Sequence, residues 1–197
     1  MTSTRVVVLP PAPALLPAYG GILDPVPELR RACRSAVAWL TDGAGDDGDV
    51  AVLADPPDEA ARRRGVEIPL GVRVARALLA KAPLRHVEAP APADRRILVL
   101  ANGSACRSEK APGHLDPRAF AYDERIETAL RVADNATLAT LEPGLLAAGI
   151  PQLRRLGEAG LAVREADLRY AGDPYGVRYW VATWECDDRT PANPPTA

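Results

Sequence analysis

The stretch RILVLA at residues 96–101 runs straight into NGSACR at 102–107, and its reading decides the fold. An uninterrupted aliphatic run of strand length, stopped by a small polar turn, marks a strand buried on both faces. RVVVL at 5–9 and VAVLA at 50–54 repeat the pattern. The first is stopped by Pro10-Pro11 and the second by Asp55-Pro56-Pro57, since proline cannot donate to a ladder. Helical spacing lies between these runs. Leu29, Cys33, Ala36, Val37 and Leu40 share one face, opposite Arg30, Arg31 and Arg34, with Pro27 in the first turn, where its missing N–H costs nothing. Val72, Ala75, Leu78 and Leu79 mark a second helix over 71–81. Asp116-Pro117 opens a third, running to about residue 133, with Phe120, Ile126, Ala129 and Leu130 inward.

Further along, shorter helical pieces are expected over 136–146 and 151–159, and strands over 161–170 and 176–185. The polar segment 55–65, with Arg62-Arg63-Arg64, reads as solvated surface. Strands alternating with helices define an α/β chain: a three-layer α/β/α sandwich around a mainly parallel or mixed sheet. The expected organisation is one domain over 1–186 and a disordered, proline-containing tail over 187–197. In such sheets the ligand crevice lies beyond the carboxyl ends of the strands, here residues 10–14, 55–58 and 102–107.

The 197 residues are 47% hydrophobic and 25% charged, with a net charge of −2. That balance excludes a wholly disordered chain and gives no electrostatic footprint for a nucleic acid. No apolar run approaches the roughly 18 residues of a membrane span. The opening apolar run is too short before its prolines for a signal peptide. Cys33, Cys106 and Cys186 are odd in number and form no CxxC pair, so a reduced, cytoplasmic setting is expected.

The chemistry available is narrow. His86 and Glu88 would share one face of a strand, and His114 follows Pro112-Gly113 in a turn; these two histidines are all the chain has. Ser104 sits just past a buried strand, as a hydrolase nucleophile does, but G-x-S-x-G is not matched. Cys106 stands beside Arg107, whose charge would favour a thiolate. Against each stands a plainer role: a surface histidine, a serine satisfying its turn, a small packed cysteine. No glycine pattern matches a phosphate-cradling loop.

The whole run Asn102 to Arg125, NGSACRSEKAPGHLDPRAFAYDER, resembles the middle of the catalytic (LigB-like) chain of the class III extradiol ring-cleavage dioxygenase family. Supporting pieces occur in order: Pro10 to Pro17 before the helix beginning Glu28-Leu-Arg-Arg-Ala-Cys, then Pro69-Leu-Gly-Val, then DPYGVRYWVATW from Asp173 to Trp184. The resemblance implies a LigB-like fold and, in active members, Fe(II) held by two histidines and a glutamate, with a further histidine as acid/base. Those positions differ here. Pro11 stands where the first ligand histidine would be, Ala105 replaces the acid/base histidine, and no histidine precedes His86. Glu158 and Glu165 are unanchored choices for the glutamate.

The expectation is therefore a short, divergent LigB-like protein without the iron site: a non-catalytic small-molecule binder or scaffold with no cofactor. Asn102, Ser104 and Arg107 are placed around the crevice, with Asp123 and Tyr175 as polar neighbours. The plainer reading makes Asp123 a helix-surface charge and Tyr175 a turn residue packing on Pro174. Two alternatives stay open. One is an active Fe(II) enzyme with a site rebuilt from His86, Glu88 or His114, or a hydrolytic use of Ser104 or Cys106. The other is an interaction module, which an exposed Trp180 or Trp184 would favour. Self-association is left open.

Overall fold

A computed structural model describes residues 3–19, 23–43, 49–80 and 82–187. Residues 1–2, 20–22, 44–48 and 81, and the tail expected to be disordered beyond Asp187, lie outside the described residues. The strands β1 (Thr4–Leu9), β2 (Val50–Leu53), β3 (Leu84–His86), β4 (Arg96–Leu100), β5 (Val163–Gly172) and β6 (Tyr179–Cys186) form one sheet in the order β3-β2-β4-β1-β6-β5. The first four in that order are mutually parallel, with Val7 opposite Leu98 and Val52 opposite Leu98 on its other side. β6 runs antiparallel to β1, and β5 antiparallel to β6. The sheet is mixed, and the chain is an α/β sandwich of three layers.

The absence of alternation in the central strands has a simple cause. Val7, Leu9, Leu98 and Leu100 pack against α1 (Pro27–Thr41) and α3 (Leu70–Leu79) on one face. Val6, Val8, Ile97 and Val99 pack against α4 (Arg118–Val132), α5 (Asn135–Ala139) and α6 (Ile150–Glu158) on the other. Both faces are covered, so both parities are apolar. All five residues assigned to the inner face of α1 are buried. In α3, Leu78 is only partly buried, while Val74 takes an inward place.

Other expectations need correction. The polar segment after β2 contains a short helix, α2 (Glu59–Arg63), because Asp58 accepts the Ala61 N–H at 2.6 Å and caps it. Helical structure does not continue to residue 146; α5 stops at Ala139, and Leu145 and Leu146 hold positive φ of 50° and 56°. β6 starts at Tyr179 because Pro174–Gly176 forms a tight turn with Tyr175 at φ 63°. Phe120 is not a core residue. It is 46% exposed, with the Arg107 guanidinium 4.5 Å from its ring centre. An aromatic ring on a helix surface keeps a partner this way, by cation–π attraction.

β5 forms one edge of the sheet. Its ten residues carry Arg164, Glu165, Asp167 and Arg169, and its register slips twice, near Val163 and near Leu168. No helix among the described residues is long and apolar enough to cross a membrane.

Candidate functional site

The carboxyl ends of β1, β2 and β4 lie side by side because these strands are parallel neighbours in the sheet. Beyond them opens a crevice of about 290 Å³, lined mainly by Pro11, Asp55, Pro57, Val66, Leu70 and Arg73. Each wall has a local cause. The loop after β1 is held by Arg30, which pairs with Asp24 at 2.7 Å and donates to the Ala14 and Leu15 carbonyls at 2.5 and 3.1 Å. α2 stands on its Asp58 cap. α3 begins close to the sheet, where a Cβ on Gly71 would press within 2.8 Å of the Ala54 side chain.

Asp55 is the distinctive polar group of the crevice. Its Oδ2 accepts the Gly149 N–H at 2.6 Å, tying the end of β2 to the start of α6 across 94 residues. Its other oxygen, Oδ1, has no protein donor among the described residues. Partial burial raises the Asp55 carboxyl above its ordinary value of 3.8, against the opposing pull of the Gly149 hydrogen bond. The folded state therefore binds more protons at this site than the unfolded chain between pH 3.8 and the raised value, and stability falls as pH rises through that window. Asp55→Asn keeps an acceptor for Gly149 and removes the ionisation. Thermal melts across that range are expected to show a flatter pH dependence in the variant, with a Tm at neutral pH no lower than the parent's. A parallel pH profile would contradict this assignment.

The residues placed at the crevice from sequence divide differently in space. Ser104, Arg107 and Asp123 form one tight network. Asp123, only 1% exposed, accepts the Ser104 N–H at 2.7 Å and the Ser104 hydroxyl at 2.6 Å. It also accepts from Arg107 at 3.2 Å, while Arg107 reaches Asp173 at 2.8 Å. Asn102 is buried beside them, bridged to Ala148 and donating to the Gly103 carbonyl at 2.7 Å. Arg107 and Asp123 do not line the crevice but a separate hollow of about 430 Å³ along α4, with Glu127, Arg131 and Arg178. The chain after β4 leaves the strand ends because Gly103 and Arg107 donate to the carbonyls of Arg178 and Gly176. Tyr175 is 55% exposed and lines neither cavity.

Each of these groups is paired within the protein. Ser104 is fully buried and its proton is committed to a carboxylate, with no imidazole in contact. Cys106 is buried and donates to the Leu145 carbonyl at 3.4 Å. In the α4 hollow, Glu127 takes Arg131, Arg178 and the Trp180 indole N–H. The guanidinium partners and the indole outweigh burial and hold the Glu127 carboxyl low.

The histidines stand apart. His86 ends the edge strand β3 with Nε2 at 3.1 Å from the Ala54 carbonyl, and His114 occupies an exposed turn at φ 57°. Glu158 and Glu165 are exposed and line no part of the crevice. Among the described residues no group of three or more His, Cys, Asp or Glu side chains converges. The crevice offers Asp55 and Asp58, each already accepting a backbone N–H. That donor set does not fit an iron held by two imidazoles and a carboxylate. Trp180 and Trp184 are fully buried, their indole N–H groups bound to Glu127 and to the Leu130 carbonyl, so the exposed aromatic face an interaction module would use is not formed by them. Neither a protein-family model nor any curated protein matches the chain.

Asp55 was legible only as the residue closing a buried strand. Its pairing with Gly149 comes from the topology, and the one sequence signal was an acid directly before two prolines at a strand's carboxyl end.

Proposed function

We propose that this protein is a non-catalytic, LigB-like binding protein whose crevice takes one compact, mainly apolar molecule and fixes it by a hydrogen bond to Asp55. The observation that carries the reading is the free carboxylate oxygen of Asp55 in a cavity walled by Pro11, Pro57, Val66 and Leu70. Mostly apolar walls with a few polar groups are how small-molecule sites are built. The placement beyond parallel strand ends is where open α/β sheets hold ligands. An apolar cavity of roughly 150 Å³ accommodates benzene, so one of about 290 Å³ takes a ring or short chain with substituents. The resemblance to the extradiol dioxygenase family supports the scaffold, and the donor set of the crevice argues against carrying over its iron chemistry.

Leu70→Trp, at the cavity wall, is the direct test. A fragment set of one-ring alcohols, amines, acids and amides is screened by thermal shift against the parent protein. Fragments that stabilise the parent are expected to lose about tenfold or more in affinity with Leu70→Trp, roughly 1.4 kcal/mol. Unchanged affinity in the variant would place binding elsewhere. With added Fe(II) and a panel of catechols, oxygen uptake is expected at the buffer rate; a ring-opened product would overturn the non-catalytic reading.

A further inference from the structure

The charge on the ligand follows from what faces the crevice, and this step rests on the binding reading just given. Asp58 spends one oxygen on the N-cap of α2, and Arg73 projects from α3 with its head exposed. Asp55 is different: it is partly buried, held in place by Gly149, and lacks a second donor among the described residues. A carboxylate in that position loses water without gaining full compensation. A neutral hydroxyl on the ligand restores one hydrogen bond. An ammonium restores the hydrogen bond and also neutralises the charge, and charge-assisted bonds are the stronger kind. The three ionisable groups on the lining, two acids and one arginine, leave the cavity with an excess of negative charge. An anion would meet both acids and find one solvated arginine.

We infer that the crevice is a site for a small apolar amine, its ammonium on Asp55 Oδ1 and its hydrocarbon body against Pro11, Pro57, Val66 and Leu70.

The test compares three probes of similar shape on the full chain by calorimetric titration: 2-phenylethylamine, 2-phenylethanol and 3-phenylpropanoate. The amine is expected to bind about tenfold tighter than the alcohol, the usual scale for adding charge to one hydrogen bond, and the acid weakest. In Asp55→Asn, checked for folding by circular dichroism, the amine-to-alcohol ratio is expected to fall to within about twofold. Equal affinity of amine and alcohol for the parent overturns the inference and leaves the crevice reading standing. A ratio that persists in Asp55→Asn overturns the assignment to Asp55. Preference for the acid makes Arg73 the anchor and also overturns it. Binding of none of the three at millimolar concentration takes the crevice reading down as well.

Discussion

Asp123→Ala is expected to destabilise the protein by about 3 kcal/mol, within the range for removing one partner of a buried ion pair. The carboxylate is almost wholly buried and receives three donors: the Ser104 N–H, the Ser104 hydroxyl and Arg107. Alanine would leave the serine groups without partners, and a buried unsatisfied polar group costs its full desolvation. Arg107 would keep Asp173, which holds the loss toward the low end of the range. For a chain of this size, 3 kcal/mol corresponds to a fall in Tm of roughly 6–12 °C. Urea unfolding measures the difference directly, and a loss below about 1 kcal/mol would mean that water replaces the carboxylate. Ser104→Ala removes only one of the three bonds and is expected to cost less.

The second large effect is expected at Gly149→Ala. Gly149 sits at φ +72° at the start of α6, and an added Cβ would overlap the Leu100 carbonyl and approach the Ala101 Cα to 2.6 Å. The left-handed conformation alone costs a non-glycine residue about 1–2 kcal/mol. Overpacking adds about 1–3 kcal/mol more. Gly160 provides the control: its φ is +57°, yet nothing lies within 4 Å of an added Cβ. Gly160→Ala should therefore show the conformational cost without the collision. Equal losses at the two positions would show that the close approach of α6 to β4 relaxes freely. Loss of soluble protein for Gly149→Ala beside a folded Gly160→Ala would agree with the expected order.

Much of the scaffold could be read from spacing alone, and the reason is burial. A strand covered on both faces has no polar positions to interrupt it, so 5–9, 50–54 and 96–101 stand out. The inner face of α1 was legible because one side packs and the other carries arginine. What spacing could not show was which distant partner a side chain would meet. Phe120 looked like core because aromatic residues usually are, but Arg107 offers it a cation on the outside. Asp123 looked equally suited to a helix surface until the Ser104 N–H was seen to reach it. Residues 140–146 have helical composition, yet the turn that supplies the Leu145 carbonyl to the Ala105 N–H takes the chain out of the helix. A crevice does open at the strand ends, lined from the segments 10–14 and 55–58, while Asn102, Ser104 and Arg107 lie in the chain after β4 and do not line it. That loop is captured by the turn before β6, a long-range event with no local signature.

The irregular outer strand bears on how the chain behaves when crowded. A flat border of free amides and carbonyls invites a neighbour to add on, and repetition of that step builds fibrils. Here the two slips in β5 bend that border, and its arginines and acids would have to be brought together with those of any molecule adding to it. The border is thereby made a poor template, and concentrated solutions gain some protection from stacking at this end of the sheet.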